Sequence, residues 1–146
     1  MHPDRAAELC DAWVARHREE DMPTPDARAA VERLMTERVP EPRNACALND
    51  VEGRRRIAIL AGPALFLVWA VPAGAGTREA ARCRRLPLAH DRTTIEVSDR
   101  LEDRGPVRHW WFELDDEPLV FRAARPEEEA FARALASALG WPAPVL

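Results

Sequence analysis

Hydrophobic positions recur along this chain with two periods, and the order in which the periods change predicts its architecture. Residues 3–20 place Ala6, Leu9, Cys10, Trp13, Val14 and His17 on one face of a helix, with Arg16, Arg18, Glu19 and Glu20 near its end. Asp21-Met22-Pro23 stops it. Thr24 then supplies an N-cap with Pro25 at the first helical position, and Ala27, Ala30, Val31, Leu34, Met35 and Val39 form a second apolar face, closed by Pro40 and Pro42. Residues 1–40 are therefore predicted to be a helical hairpin. So short a hairpin cannot bury both of its apolar faces alone and needs a surface to lie on.

Beyond residue 40 the period falls to two. Residues 40–56 are rich in proline, asparagine and charge and read as a loop, with a short strand near Cys46 to Leu48 as a candidate. Ile57 to Thr77 then runs 21 residues without a charge, directly after Arg54, Arg55 and Arg56. That length suffices for a membrane span, but Gly62-Pro63 interrupts the run, Pro72 ends its most apolar part, and Ala73 to Gly76 adds little hydrophobicity. Two strands, 57–61 and 64–71, joined by a tight turn at Gly62-Pro63, fit better. In the second, Leu65, Leu67, Trp69 and Val71 alternate with Ala64, Phe66, Val68 and Ala70, so both faces are apolar and both call for cover. Further strands are predicted at 81–88, 93–101, 107–114 and 118–124. Turns are placed at Gly105-Pro106 and at Asp115 to Glu117, and Ile95 and Val97 are expected to face the core.

The last element is the best punctuated. Phe131, Ala134, Leu135, Ala138 and Leu139 form one helical stripe, Pro126 and Glu127 to Glu129 suit its positive end, and Gly140 suits a left-handed cap. The chain is thus expected to be α+β. Residues 41–146 form a bent antiparallel sheet of six strands, or seven if one exists near residues 44–50, plugged by the C-terminal helix 126–140. The order IAILAGPALFLVWAV, RCRRLPL, TTIEVSD, RHWWFEL, DDEPLVF and EEEAFARALASALGW resembles the bacterial PH-like and GRAM-type domains, over roughly residues 46–141. The resemblance implies a PH-like barrel of about seven strands and a role in binding proteins, peptides or lipids. Members that bind phosphoinositides use a basic loop between their first two strands. Here that loop is expected to be Gly62-Pro63, which carries no cation, so specific phosphoinositide recognition is not supported.

Composition narrows the role more than it names it. With 47% hydrophobic and 32% charged residues, the chain has the balance of a globular protein. All 21 basic residues are arginine, which reads as the codon bias of a GC-rich bacterial genome. Residues 51–92 hold 8 Arg against 3 acids, whereas residues 1–50 and 93–146 each hold 11 acids against 7 and 6 Arg. Blocks of opposite sign more often neutralise one another than bind nucleic acid, and a pI near 5.6 argues the same way. No nucleic-acid partner and no membrane span are expected. Cys10, Cys46 and Cys83 form neither a disulfide framework nor a zinc pattern, and the N-terminal sequence has no apolar signal-peptide core, so a reducing cytoplasm is the expected location.

Candidate chemistry is sparse. No phosphate loop, nucleophile elbow or H-E-x-x-H motif occurs, and Gly74 and Gly76 form only a fragment of a dinucleotide fingerprint. Cys10 and His17 share a helical face, but their apolar neighbours make them core residues. Cys46 has no histidine near it in sequence, and His90-Asp91 and Asp115-Asp116 are explained by turns. A non-enzymatic protein with no metal and no cofactor is expected. Two binding surfaces remain. His109, Trp111 and Val120 project from the sheet face opposite Trp110, Phe112, Leu114, Leu119 and Phe121, either as a dock for the N-terminal hairpin together with the apolar second face of strand 64–71, or as an anchor for a protein, a peptide or a second copy. Arg54, Arg55, Arg56, Arg82, Arg84 and Arg85 are a candidate patch for an anion or acidic partner, against the commoner reading of a salt-bridged face. The chain is expected to act as an adaptor or scaffold, with a small immunity-type inhibitor working through its acidic segments as the alternative.

Overall fold

The computed structural model describes residues 1–50, 53–71, 80–88 and 92–141. Helix α1, Pro3–Val14, is capped by His2, whose Nδ1 accepts from the Asp4 backbone N–H, and α2, Pro25–Arg38, is capped by Thr24 as its sequence predicts, with the Ala27 N–H 3.1 Å from Oγ1. The first helix ends six residues short of the expected limit. A single 3-10 turn, Glu19–Asp21, follows, and Arg16 turns away to meet Glu128 at 3.2 Å. Ala6, Leu9, Cys10, Trp13, Val31, Met35 and Val39 form the buried face of the pair.

That face lies on a four-stranded antiparallel sheet in the order β1-β2-β3-β4: β1 Asn44–Asn49, β2 Arg55–Ala61, β3 Ala64–Ala70 and β4 Ala81–Pro87. Strand β1 is the seventh strand that the sequence left open. It pairs with β2 from Asn44↔Leu60 to Asn49↔Arg55, so Gly62-Pro63 joins the second and third strands and not the first two. The uncharged run is, through residue 70, a β-hairpin, and among the described residues no helix is long and apolar enough to cross a membrane. Gly74, Gly76, His90 and Asp91 lie outside the described residues.

Both faces of this sheet are apolar because β2 and β3 are apolar at odd and even positions alike. Ile57, Ile59, Ala61, Ala64, Phe66 and Val68 meet the helical hairpin. Cys46, Leu48, Ala58, Leu60, Leu65, Leu67 and Leu86 face a second core. A three-stranded antiparallel sheet, β5 Thr93–Glu102, β6 Gly105–Leu114 and β7 Glu117–Ala123, encloses that core together with helix α3, Pro126–Ala138. Phe112 stacks between Trp110 and Phe121, with ring centroids 5.5 and 6.1 Å away. An antiparallel bridge between Asp50 and Phe121 links the two sheets.

Local punctuation sets the remaining boundaries. Asp115 and Asp116 take φ of 49° and 67°, the paired left-handed residues of a type I′ hairpin turn. Gly105, at φ 112°, begins β6 instead of forming the turn, which falls on Asp103-Arg104 between the strands. At the end of α3 the Gly140 N–H bonds the Ser137 carbonyl and the Trp141 N–H bonds that of Ala136, a Schellman cap on a left-handed glycine. Glu128, buried in the first turn, accepts from the Arg125 backbone N–H at 2.9 Å and pairs with Arg16, tying α3 to the segment after α1.

Candidate functional site

The outer face of the three-stranded sheet is made by alternate residues of β6 and their cross-strand neighbours. Trp111 sits between Glu96 on β5 and Val120 on β7, and His109 between Ser98 and Arg122. His109, Trp111 and Val120 are therefore brought onto one face, as the alternation predicts. Trp111 is 41% exposed, whereas Trp110, one residue earlier, is buried with its Nε1–H donating to Glu129 at 2.9 Å. His109 is less available. Its side chain is 14% exposed and Nε2 stands 3.5 Å from Glu102, within ion-pair reach but without hydrogen-bond geometry. Arg122 clasps the same carboxylate, and this bond, ahead of the histidine, holds the Glu102 carboxyl below the usual range.

Of the two surfaces expected to dock the hairpin, the second face of strand 64–71 does so and the Trp111 face does not. Helices α1 and α2 pack on the four-stranded sheet, where the second face of β2 and β3 offers a continuous row of aliphatic side chains, and among the described residues nothing covers Trp111. A polar row with one aromatic residue offers less apolar area than a row of Ile57, Ile59, Phe66 and Val68.

The six arginines do not form one patch. Alternation sends Arg55 and Arg56 to opposite faces of β2. Arg55 Nε donates to the Arg16 carbonyl at 2.8 Å, on the hairpin side, where Trp13 Nε1–H also donates to the Arg55 carbonyl at 2.9 Å. Arg56 is 1% exposed between the sheets, donating to Asp50 at 3.2 Å and Glu117 at 3.0 Å, with its guanidinium 5.8 Å from the Trp69 ring centre. Arg54 donates to Asp50 and Arg84 to Glu117, each at 2.8 Å. Register places Arg82 and Arg84 with Trp69 and Leu67, and Arg85 on the other face with Phe66. Arg56 is thus turned inward as a clamp at the junction of the two sheets and Arg55 is partly buried against the hairpin, while Arg54, Arg82, Arg84 and Arg85 stay exposed.

Two of the three thiols are enclosed, and Cys83 is partly buried. Burial pushes Cys10 and Cys46 up to about 12, so neither is a thiolate near neutral pH. Cys46 lies in β1 and not in a loop, and the His17 ring packs edge-on against Trp13, 4.7 Å between centres, with Nδ1 2.9 Å from the Trp13 carbonyl. No group of three or more His, Cys, Asp and Glu side chains among the described residues could hold a metal. A cleft of about 380 Å³ between the sheet and α3 is lined by Asp99, Arg108, Glu129 and Arg133, which already neutralise one another through contacts of 3.0–3.1 Å.

Two features escaped sequence reasoning. Leu101 is 90% exposed and Val97 37%, both along β5 at the margin of the sheet, although alternation assigns Val97 to the core side. The signal was the parity that Leu101 shares with Ile95 and Val97 in a strand running past its cover. The buried Asp50–Arg56–Glu117 cluster joins residues that only the fold brings together, so no spacing could reveal it. No family model, no curated protein and no solved structure matches the chain.

Proposed function

We propose that the chain is a non-enzymatic module that binds a protein or peptide on the outer face of its three-stranded sheet, with Trp111 as the anchor and Val120 beside it. The observation that supports this most directly is the half-exposed Trp111 on a rigid antiparallel sheet, left open while the hairpin lies on the opposite side of the molecule. Tryptophan carries binding energy out of proportion to its number, and a strand-borne side chain loses little freedom when a partner covers it. The arrangement of four strands, then three, then a C-terminal helix, with a bridge from Asp50, just past the first strand, to Phe121 in the last, supports a PH-like assignment of this architecture. In that assignment the loop between the first two strands is residues 50–54. Its Arg54 is paired with Asp50, so a phosphoinositide site there finds no support.

We favour this reading over an inhibitor acting through acidic surfaces. Among the C-terminal acids, Asp99, Glu102, Glu117, Glu128 and Glu129 are all held by arginines of the same chain, which removes much of the field such an inhibitor would present. We further propose a role as an adaptor or scaffold in a bacterial cytoplasm, a setting that rests on the arginine usage and the cysteine pattern of the sequence. The test is selection of binders from a displayed random-peptide library. Selected peptides should bind Trp111→Ala at least about tenfold more weakly than the parent chain, since one anchor of this kind is worth roughly 2 kcal/mol. Equal affinity for both would remove Trp111 as the anchor.

A further inference from the structure

Strand β5 runs for ten residues along one margin of the three-stranded sheet, and among the described residues β6 is the only strand laddered to it. Such a margin presents a row of main-chain donors and acceptors to any extended segment of suitable pattern. Its side chains are mostly exposed, and Leu101 stands almost wholly in solvent. We propose that β5 pairs antiparallel with β5 of a second copy of this chain, in a register centred on Ser98, so that two three-stranded sheets join into one of six strands.

The charges of β5 select both the occupant and the register. A twofold axis normal to the sheet keeps each side chain on its own face and pairs positions symmetrically about a central residue. Centred on Ser98, Glu96 faces the partner's Arg100 and Ile95 faces the partner's Leu101, and the symmetry repeats both pairs. Opposite charges and apolar pairs directly across a ladder stabilise it. Val97 then faces the partner's Asp99, whose carboxylate remains with Arg108 of its own sheet, 3.1 Å away. Thr94 faces the partner's Glu102.

Neighbouring registers lose this match. Within the strand, centring on Glu96 sets that carboxylate against itself and leaves Arg100 without an opposite charge. Centring on Asp99 sets Asp99 against itself and Glu96 against the partner's Glu102. Centring on Val97 puts Ile95 against the partner's Asp99 and leaves Glu96 facing serine. Within Thr93–Glu102 the Ser98 register is the one of these that combines two opposite-charge pairs, two apolar pairs and no like-charge pair; just beyond the strand Arg92 meets the partner's Arg104. Glu96 and Arg100 are both exposed on the outer face, beside Trp111 and Val107.

Sedimentation of the full chain from micromolar to sub-millimolar concentration reads the outcome. The parent should reach twice its 16.4 kDa mass. Glu96→Arg alone sets Arg against Arg twice and Arg100→Glu alone sets Glu against Glu twice, so each should dimerise at least about tenfold more weakly. An equimolar mixture of the two variants restores Arg opposite Glu at both positions and should form a heterodimer. A monomeric parent, single variants that dimerise like the parent, or a mixture that stays monomeric would each overturn the proposal. Should a charge reversal prevent folding, Leu101→Ser removes the apolar pair without adding charge, and an undiminished dimer would be equally fatal. Trp111→Ala should leave the dimer intact, which separates this interface from peptide binding on the Trp111 face.

Discussion

The two sheets turn opposite kinds of outer face away from their shared core. On the four-stranded sheet, β2 and β3 are apolar at every position from Ile57 to Ala61 and from Ala64 to Val68, and the outer row recruits the helical hairpin. On the three-stranded sheet, β6 alternates Trp110, Phe112 and Leu114 with His109, Trp111 and Glu113, and its outer row stays uncovered among the described residues. Cover follows the number of apolar side chains in a row, because the stabilisation scales with the area removed from water. The single tryptophan in that polar row is the anchor of the binding we propose.

The most severe way to break this comparison is to empty the covered side. Trp13 is fully buried under the hairpin and its Nε1–H is bonded to the Arg55 carbonyl. Trp13→Ala should destabilise the fold by about 3–5 kcal/mol, read as a fall in the urea midpoint. A loss below about 1 kcal/mol would show that the hairpin lies loosely on its sheet and that the two outer faces differ less than their packing implies.

A second cut goes through the junction between the sheets. Arg56→Met removes a buried guanidinium from Asp50 and Glu117, and breaking a buried pair from one side costs about 3–5 kcal/mol. The lower end, about 3 kcal/mol, is expected, because Arg54 still meets Asp50 and Arg84 still meets Glu117. Arg84→Ala, at a half-exposed site, should cost about 1 kcal/mol or less. Equal losses from both substitutions would mean that Arg56 is not the centre of the cluster.

These sites mark the limits of what the sequence discloses. The strand boundaries, both hairpin helices and the Gly140 cap were legible because period, proline, threonine and glycine act over a few residues. The Asp50–Arg56–Glu117 cluster was not, since its members lie 6 and 61 positions apart and meet only after both sheets form. Three consecutive arginines look like one basic surface in sequence, yet a strand sends alternate residues to opposite sides. Strand β1 was nearly invisible for a different reason: its Ala-Cys-Ala centre has weak strand preference, and pairing with the strongly apolar β2 outweighs it. The site was half legible. Alternation set Trp110 and Trp111 apart, but which outer row the hairpin would choose depended on a contest of areas between two sheets.

Thiol chemistry tests enclosure without changing a residue. Cys10 and Cys46, raised by burial to about 12, should resist alkylation at pH 8, where only about one thiol in ten thousand would be ionised, and react promptly once denaturant is added. Cys83 is only partly buried and should react ahead of both. Unfolded thiols ionise lower than the folded ones, so the neutral form's contribution to stability is complete below about pH 8.5 and declines as pH rises from there toward 12. Thermal midpoints that rise over that interval would contradict the burial of both cysteines.

The smallest expected effect on stability is the one that carries the functional argument. Trp111→Ala removes a half-exposed side chain whose ladder neighbours, Glu96 and Val120, remain in place, so the unfolding free energy should move by about 0.5 kcal/mol or less. Trp110→Ala, one residue away, empties a stacked core position and removes the indole bond to Glu129, and should cost about 3–5 kcal/mol. Urea unfolding of the two variants side by side reads the ratio directly. A large loss at Trp111 would make that residue part of the fold, and its exposure would then be a by-product of packing. A negligible loss together with weakened peptide binding would mean that the outer row of the three-stranded sheet bears a side chain the fold does not need.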